Sequence, residues 1–400
     1  MTAQRTVAAV LLLAVVCSAA ATKKRKSTAA PVSAATRKAA REYIEAKIAA
    51  VKTGIENPGA LASFFASLEA GDPIHILQFG DSHTASDDWV NAMRTAAQTK
   101  FGSGGPGFVQ AGHPYRGYRR FDATGASSVG WKTEGTMALR GDPNQGLSGI
   151  SISTASAGQT VTLTASGEAL TIFYLQQPGG GELELTLDGQ PSGTFSTDGD
   201  LGPGQSEYQL QPGEHHVSLR TLNAAPVRLF GWALDNKPPG LTFETLGING
   251  AQANVILGWN EQIWASEFNQ RNPSLVLLAY GTNEANSPRF DPDQYRADLT
   301  AVIARIRHAN PATAILLIGP PDCGRLRPLA HLAEVIEIQT DIAHRLNVAF
   351  WDWRMHMGGP GIVKRWVQAG WSQADYIHLT TEGYRLIGSL LFSQLMAGSL

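Results

Sequence analysis

Short apolar runs recur near the start and in the last third of the chain and predict the strands of a buried parallel sheet. Ile74–Phe79 is one such run, and it ends at Gly80. Leu275–Tyr280 and Ala314–Ile318 are two more, and Val348–Trp351 is a shorter candidate. Continuous apolar runs of this length are typical of strands that are covered on both faces.

Helical spacing surrounds these apolar runs. The segments with this spacing lack internal breaks and alternate along the chain with the predicted strands. The predicted helices are Ala35–Lys52, Leu61–Ala70, Tyr295–Ala309, Leu329–Leu346 and Thr381–Met396. Strands that alternate with helices indicate an α/β domain, with helices packed on both faces of a parallel sheet.

Between about Gly130 and Asn236 the pattern changes to short alternating runs rich in Gly, Ser and Thr. Ala169–Leu175 and Glu182–Leu187 are examples, and turn signals such as Asp188-Gly189 separate them. Many short strands at this spacing predict an all-β sandwich or jelly roll. The α/β domain is therefore expected to be discontinuous, with its first part at 35–129, an inserted β domain at 130–236 and its second part at 237–400.

Length and charge limit the functions that the chain can have. The 400 residues exceed one ordinary domain of about 150 residues. Lys and Arg together number 32, Asp and Glu 34, and the formal net charge is −2. Because there is no excess of positive charge to hold phosphates, a nucleic-acid partner is not expected.

The first 21 residues have the pattern of a secretory signal peptide. Arg5 precedes an apolar stretch from Val7 to Val16, and small residues follow. A stretch of about ten residues is too short to span a bilayer. A lipoprotein anchor at Cys17 is the alternative, although Val16 is bulky where such anchors have a small residue. We therefore predict export to the periplasm, a flexible tether at 22–34, and no transmembrane span in the mature chain.

Ser82 is the candidate nucleophile, because it follows an apolar strand within Gly80-Asp81-Ser82-His83-Thr84. A serine at this place is also a common helix N-cap. To act as a nucleophile, it needs a second residue that serves as its base. His378 is the candidate base and Asp375, three residues earlier, is its candidate partner. A carboxylate at this spacing can hold the imidazole in the tautomer that accepts the serine proton. The alternative for the pair is a surface turn.

Acyl transfer also needs hydrogen-bond donors for the developing oxyanion. Asn283 follows the apolar run Leu275–Tyr280, as Ser82 follows its own strand. Gly250 lies in the glycine turn Gly247–Gly250, and a glycine turn can direct a backbone N–H toward the same space. Together with the N–H of Ser82, these groups make three candidate donors, and the loss of one such donor typically costs about 10²–10³ in turnover.

Several other residues have both a chemical and a structural interpretation. The tryptophans before the Asp375 segment can stack on sugar rings or pack in the core; they are Trp351, Trp353, Trp366 and Trp371. His215-His216 has no further ligands at a metal-binding spacing, so no metal is predicted there. Arg325 and Arg327 can attract an anionic glycan or lie in a solvated loop. Cys323, the only thiol left after signal cleavage, is expected to be a spectator.

Taken together, these motifs make the sequence similar to the SGNH or GDSL-type hydrolases. The four marker blocks match Gly80-Asp81-Ser82-His83, Gly250 within Gly247–Gly250, Gly281-Thr282-Asn283-Glu284 and Asp375–His378. The resemblance implies a flavodoxin-like parallel sheet flanked by helices, with Ser82 as nucleophile, His378 as base, Asp375 as its partner, and Ser82, Gly250 and Asn283 as oxyanion donors. It implies no metal and no cofactor. His83 stands where the usual pattern has leucine, and the choice of Gly250 over Gly247 stays open.

The chain also resembles, more specifically, the exported peptidoglycan O-acetylesterases of Gram-negative bacteria. In that group the Gly-Asp-Ser-His-Thr block, a Gly-Pro-Pro-Asp loop and an inserted β module with a carbohydrate-binding likeness occur together, and here the loop is Gly319–Asp322. The resemblance implies a serine esterase that removes the C6 O-acetyl group of N-acetylmuramic acid through an acetyl-enzyme. O-acetylated peptidoglycan or a related glycan is the expected partner.

Three alternatives remain at this stage. The same triad can transfer acetyl to a glycan hydroxyl, as an O-acetyltransferase does, because the two reactions differ only in the acceptor. An acetylesterase acting on xylan or on another exported polysaccharide would use the same mechanism. A glycan-binding protein with an inert α/β domain would bind the glycan through its β module and hydrolyse no ester. The oligomeric state is not predicted.

Overall fold

The computed structural model describes residues 32–135, 141–237, 240–324 and 329–397. The predicted signal peptide, the tether up to residue 31, Arg325 and Arg327 lie outside the described residues. Within the described ranges no helix is long and apolar enough to cross a membrane.

Sixteen strands are present in these ranges. In chain order they are β1 (Ile74–Gly80), β2 (Gly107–Gln110), β3 (Ala123–Ser127), β4 (Lys132–Gly135), β5 (Ile150–Thr154), β6 (Thr160–Ser166), β7 (Ala169–Gln176), β8 (Glu182–Leu187), β9 (Gln190–Ser196), β10 (Gly202–Gln209), β11 (Glu214–Thr221), β12 (Val227–Asp235), β13 (Leu241–Gly247), β14 (Leu275–Ala279), β15 (Ala314–Ile318) and β16 (Ala349–Trp351).

The described α-helices lie before, between and after the strands of the α/β part. They are α1 (Ala34–Ala49), α2 (Ala62–Ala70), α3 (Ser82–Ala85), α4 (Asp88–Phe101), α5 (Glu261–Arg271), α6 (Thr282–Ala285), α7 (Pro292–Ala309), α8 (Leu332–Leu346), α9 (Trp353–His356), α10 (Val363–Ala369) and α11 (Thr381–Ala397). Two 3₁₀ helices, Pro58–Leu61 and Ala253–Gly258, complete the set.

Five of the strands form one parallel sheet in the order β13-β1-β14-β15-β16. In its register Gly80 lies opposite Gly247 on one side and opposite Ala279 on the other. The carboxyl ends of three neighbouring strands therefore meet at one edge, which is where open α/β sheets place their ligands.

Alternating side chains of this sheet enter two separate cores. Leu77 and Leu278 pack in the core on the face covered by α5, α7 and α8. Ile76 and Leu277 pack in the core on the opposite face, which α1, α2, α4 and α11 cover. All five residues of both β14 and β15 are buried. The predicted fold class, a parallel sheet flanked by helices with an additional all-β part, is confirmed.

The remaining strands form two antiparallel sheets. One has the order β10-β7-β12-β5-β4, with β2 also paired to β12, and the other has the order β3-β6-β11-β8-β9. Inward residues of the two sheets, such as Leu163 and Ile172, share one apolar core, so the sheets pack as a sandwich. We refer to these two sheets as the β module.

The pairing places the start of the β module earlier than the boundary predicted at 130. Strand β2 pairs with β12, and strand β3 pairs with β6 over Ala123–Ser127. Both strands precede residue 130, within the part predicted as 35–129. They were missed because β2 is only four residues long and β3 is rich in small residues, so neither shows a clear alternation.

Two elements of the α/β part were also missed by the sequence pattern. Strand β13 follows a Pro-Pro-Gly segment and has Glu244 in its middle, which breaks the apolar run. Helix α5 contains buried Glu267 and Arg271 on its inner side, so its apolar stripe is interrupted. In both cases buried charged residues interrupt the apolar pattern of the element. The partners of these charged residues lie far away along the chain, so the local sequence does not indicate that they are buried.

Candidate active site

Ser82 lies in a tight turn between strand β1 and the short helix α3. The Asp81 side chain caps this helix by accepting the His83 N–H at 2.9 Å. Gly80 has no space for a side chain, since a Cβ atom would lie 2.2 Å from the Thr84 Oγ1 and 2.8 Å from the Ala279 carbonyl oxygen. The turn therefore requires glycine, and the first residue of α3 is held at the sheet edge.

A continuous hydrogen-bond chain joins Ser82, His378 and Asp375. The Ser82 Oγ lies 2.9 Å from the His378 Nε2, and the His378 Nδ1 lies 2.7 Å from the Asp375 Oδ2. The structure thus brings together the serine, imidazole and carboxylate that the sequence proposed as a triad. With Nδ1 donating to the carboxylate, the unprotonated Nε2 faces the serine hydroxyl, which is the arrangement that proton abstraction needs.

The Asp375 carboxylate is held by its own turn as well as by the imidazole. Its Oδ1 accepts the backbone N–H groups of Ile377 at 3.0 Å and His378 at 3.1 Å. Burial opposes the charge, but the hydrogen bonds from the His378 side chain and from these two amides outweigh it and lower the pKa of Asp375. The carboxylate is therefore ionised at neutral pH and fixed in orientation.

The three segments that carry the predicted oxyanion donors touch one another. The Ile248 N–H donates to the Gly80 carbonyl at 2.9 Å, which ties the Gly247–Gly250 turn to the end of β1. The Asn283 Nδ2 donates to the Ala251 carbonyl at 2.9 Å and to the Asp81 Oδ2 at 3.3 Å. Gly250, Asn283 and the turn before Ser82 thus belong to one connected region.

The three predicted oxyanion donors differ in whether their N–H groups already donate to an acceptor within the protein. Within the described residues, the backbone N–H groups of Ser82 and Gly250 have no protein acceptor. Gly250 has a φ of 75°, so the left-handed turn favours glycine there. The Asn283 amide already uses its two hydrogens, so donation to a substrate oxygen requires that one of its present bonds is released.

Asp81 links the nucleophile turn to Asn283 and is itself buried. Burial raises the pKa of Asp81 to about 7, although the His83 amide, the charge of His378 and the Thr282 hydroxyl favour its ionised form. Its carboxyl group therefore changes charge near neutral pH. No sequence pattern assigned Asp81 a role beyond its place in the marker block.

His83 packs directly behind the imidazole of His378, with ring centroids 5.3 Å apart. Its Nδ1 lies 2.7 Å from the Tyr384 hydroxyl, and burial, assisted by the charge of His378, lowers the pKa of His83 to about 3. A neutral ring thus occupies the place where the usual family pattern has leucine. It supports His378 by packing, without adding a second charge to the site.

A loop of the segment before β3 buttresses the glycine turn. The Tyr115 hydroxyl donates to the Gly247 carbonyl at 2.6 Å, and the Asn249 Nδ2 donates to the Arg116 carbonyl at 3.3 Å. No sequence pattern singles out Tyr115, because its partner lies 132 residues further along the chain.

The other candidate residues have structural environments. The four tryptophans considered for sugar stacking are at most 5% exposed, which makes them core residues; they are Trp351, Trp353, Trp366 and Trp371. His215 uses both ring nitrogens, toward the Asp188 carboxylate and the Gln211 carbonyl. Cys323 is buried, and burial raises the pKa of its thiol to about 12. Asp322 of the Gly-Pro-Pro-Asp loop is buried and pairs with Arg354 at 3.0 Å.

Comparison with known proteins agrees with this geometry. Residues 215–386 match the GDSL-like lipase/acylhydrolase family. This part contains Gly250, Asn283, Asp375 and His378 together with β11 and β12 of the β module, whereas Ser82 lies outside it. A solved structure described as "Peptidoglycan O-acetylesterase in action, 5 min" aligns with a TM-score of 0.73 and 26% identity, covering 84% of this chain and 95% of that chain.

Other similar structures align only loosely. The family two carbohydrate esterase from Clostridium thermocellum, in complex with cellohexaose, aligns with a TM-score of 0.33 and 15% identity over 68% of this chain and 100% of that chain. The one from Cellvibrio japonicus aligns with a TM-score of 0.33 and 11% identity over 69% of this chain and 98% of that chain. Alignments this loose establish neither fold nor function. No curated protein matches the chain in sequence.

Fold, site geometry and family match together define the class of protein. Residues 215–386 form a GDSL-like acylhydrolase domain, and the resemblance to SGNH hydrolases found in the sequence is confirmed. Its enzyme class is that of the carboxylic ester hydrolases.

Proposed function

We propose that this chain is a serine esterase that removes O-acetyl groups from cell-wall peptidoglycan, at the C6 oxygen of N-acetylmuramic acid. The observation that carries the proposal is the hydrogen-bonded chain from Ser82 through His378 to Asp375, with distances of 2.9 Å and 2.7 Å. The alignment with a peptidoglycan O-acetylesterase over most of both chains supports the choice of substrate.

In the first half of the reaction Ser82 is the nucleophile. As its Oγ attacks the acetyl carbonyl carbon, its proton passes to the Nε2 of His378, and Asp375 stabilises the imidazolium that forms. The tetrahedral intermediate then expels the sugar oxygen, which takes the proton back from His378. The products of this half are a free sugar hydroxyl and an acetyl-Ser82 ester.

In the second half a water molecule takes the place of the sugar. His378 removes a proton from this water, the resulting hydroxide attacks the acetyl-Ser82 carbonyl, and the intermediate collapses to acetate. The serine oxygen recovers its proton from His378. We assign the oxyanion of both intermediates to the backbone N–H groups of Ser82 and Gly250 and to the Asn283 amide.

The openness of the site suits a polymeric substrate. The side chains of Asp375 and His378 are 43% and 34% exposed, although the groups behind them, such as Asp81 and His83, are buried. An acetyl group that projects from a glycan strand can therefore reach Ser82 without the strand entering the protein. The comparisons do not favour acetyl transfer or a different glycan.

Peptidoglycan lies outside the cytoplasm, so this function requires export. We therefore propose that the signal-like pattern of residues 1–21 directs the chain to the periplasm. We also propose that the chain consists of a discontinuous hydrolase domain and an inserted β domain with a carbohydrate-binding role. Strand pairing supports a start of the insertion near Gly107 rather than at 130.

The test compares wild-type and Ser82→Ala protein for acetate release from O-acetylated peptidoglycan. We expect Ser82→Ala to lose at least about 10³-fold in kcat, because the nucleophile is removed while folding is unaffected. O-acetylated xylan, assayed in parallel, serves as the comparison glycan. Equal rates for the two proteins would refute the mechanism, and a preference for xylan would refute the substrate.

A further inference from the structure

A cavity of about 170 Å³ opens beside the Asn283 turn and does not include Ser82 or His378. Its walls come from the segment after Gly250 and from the two sides of the loop that leads into α7. Its lining includes Gln252, Asn254, Arg289, Phe290, Gln294 and Asp298. One water needs only about 10–15 Å³ of such space. The cavity can therefore hold an organic group with many heavy atoms.

The cavity shares walls with the oxyanion region. Gln252 lies two residues after Gly250, and its Nε2 donates to the Asn283 carbonyl at 3.3 Å. Glu284, the residue after Asn283, also lines the cavity. A group bound here would thus lie beside the turn that carries Asn283, one of the predicted oxyanion donors.

The polar side chains of the cavity are already oriented. The Asp298 carboxylate accepts the Asn254 Nδ2 at 2.9 Å on one oxygen and the Gln294 Nε2 at 2.8 Å on the other. Each amide keeps a second hydrogen and its carbonyl oxygen, and the carboxylate keeps further lone pairs. A cluster of fixed donors and acceptors of this kind matches the hydroxyl and acetamido groups of a sugar, at little cost in ordering.

Phe290 adds a flat apolar surface to the same cavity. Its ring packs against Tyr295 with centroids 5.8 Å apart and against His331 with centroids 4.8 Å apart, and the side chain is half-buried. These two ring contacts restrict the Phe290 side chain, and part of its ring stays accessible to solvent. An aromatic face presented in this way can stack on the apolar face of a pyranose.

The charges of the cavity favour a neutral ligand over an anion. Asp298 and Asp291 line it together with Arg289, an exposed residue that makes no ion pair within the described residues. Carboxylates repel an anionic group, whereas an arginine beside carboxylates and amides donates readily to hydroxyl oxygens. The lining is thus mixed, as neutral carbohydrate recognition requires.

We infer that this cavity is a saccharide subsite that binds one neutral sugar ring, the neighbour of the acetyl-bearing sugar in the glycan. The inference rests on the proposed function for the identity of that glycan. The subsite would place the acetyl group at Ser82 by holding the adjacent ring, so its contribution applies to glycan substrates and not to small esters.

The test combines kinetics with direct binding. Phe290→Ala and Asp298→Asn are compared with the wild type on O-acetylated peptidoglycan and on p-nitrophenyl acetate. The loss in kcat/KM on the glycan should exceed that on the small ester by about tenfold, mainly through KM, since a stacking or hydrogen-bonding contact is removed. If Phe290→Ala does not fold, Asp298→Asn decides the kinetic test.

Binding is measured by calorimetry with the β-1,4-linked trisaccharide of N-acetylglucosamine, in a Ser82→Ala background. We expect Phe290→Ala and Asp298→Asn to weaken its affinity about tenfold. Tyr43→Ala, at an exposed tyrosine on α1, and Asp293→Asn, at an exposed aspartate on α7 that does not line the cavity, are the matched controls and should bind as before.

The subsite and the esterase activity can be refuted separately. If Phe290→Ala and Asp298→Asn bind the trisaccharide and turn over the glycan as the two controls do, the subsite is refuted while the esterase stands. If Ser82→Ala protein binds the trisaccharide at this cavity but the wild type releases no acetate from peptidoglycan, the subsite stands and the proposed function fails.

Discussion

In the proposed mechanism Asp375 acts through His378, and we expect its effect to depend on orientation more than on charge alone. Its two oxygens serve different partners, Oδ2 the imidazole at 2.7 Å and Oδ1 the backbone N–H groups of Ile377 and His378. This division holds the imidazole in one tautomer before any substrate is bound. The same contacts keep the carboxyl ionised, since they lower its pKa.

Asp375→Asn should therefore impair catalysis without unfolding the chain. An amide in place of the carboxylate no longer fixes the tautomer that leaves Nε2 free, so we expect kcat for p-nitrophenyl acetate to fall about 10²–10⁴-fold. The melting temperature should change little, because the side chain is 43% exposed. Asp293→Asn is the matched control, and a loss of less than about threefold in Asp375→Asn would contradict the assignment.

At the scale of single elements, the short turns at the sheet edge depend on contacts from outside the sheet. The glycine turn after β13 is held by the Ile248–Gly80 backbone bond and by the Tyr115 hydroxyl, which donates to the Gly247 carbonyl. The position of the Gly250 N–H thus depends on a loop more than a hundred residues earlier. Tyr115 is a positioning residue, because it touches the turn and not the reacting atoms.

Tyr115→Phe should lower kcat about tenfold and leave KM nearly unchanged. The exchange removes one hydrogen bond and lets the turn shift. The Gly250 N–H is then displaced from the position in which it would donate best to the oxyanion. Steady-state kinetics with p-nitrophenyl acetate provide the measurement. Tyr118→Phe is the control, because its hydroxyl binds the Gln110 N–H and not the glycine turn; equal kcat losses in the two variants would contradict the positioning role.

Helix α5 carries a buried carboxyl that should make stability depend on pH. The Oε2 of Glu267 accepts the Leu147 N–H at 2.6 Å, and within the described residues its Oε1 has no partner. Burial raises the pKa of Glu267 to about 8, far above the ordinary value of about 4.3. Because the protonated form fits the folded chain, its stabilising contribution is complete below about pH 4.3 and is lost as pH rises toward 8.

Glu267→Gln tests this dependence, since the amide keeps an acceptor for Leu147 and cannot ionise. Melting temperatures of both proteins are measured from pH 4.5 to pH 9. We expect the wild type to lose stability relative to Glu267→Gln as pH rises through this window and the difference to level off above about pH 8. The difference between the proteins removes the effects of other titrating groups. A difference that is independent of pH would contradict the raised pKa.

At the scale of the whole molecule, one arginine joins the β module to the parallel sheet. Arg271 at the end of α5 pairs with Asp235 on β12 at 2.6 Å and with Glu244 on β13 at 2.6 Å. Glu244 is buried, and although burial opposes its charge, Arg271 lowers its pKa to about 2. The two parts of the chain thus share one ionic network, in which Asp235 of the β module joins a pair formed within the α/β part.

Arg271→Met should destabilise the protein by about 3–5 kcal/mol, because it leaves the buried Glu244 without its cation. Urea unfolding followed by tryptophan fluorescence gives the free energy of unfolding. The double variant Arg271→Met/Glu244→Gln should recover part of the loss, since the uncompensated charge is then removed. No recovery in the double variant would show that packing, and not the buried charge, accounts for the effect.

Much of the fold was accessible from local sequence patterns. Apolar runs marked β1, β14 and β15 to within one residue, because strands buried on both faces leave few polar positions. Helices α7 and α8 were found with displaced starts, and α11 was found with the correct start and an end displaced by one residue. Strand β13 and helix α5 were missed, since Glu244 and Arg271 neutralise each other across the structure and therefore look like surface charges in the sequence.

The sequence by itself determined the class of fold and indicated Ser82, Asp375, His378, Asn283 and the glycine turn as candidate site residues, because turn residues directly after apolar runs are a local signal. Only the tertiary structure decided how they meet: Ser82 and His378 are 296 positions apart and Asn283 and Asp81 are 202 apart. Tyr115, the neutral His83 ring and the cavity beside Asn283 also emerged only there. Such contacts join distant segments through packing, and packing depends on the shape of the whole core rather than on any periodic pattern.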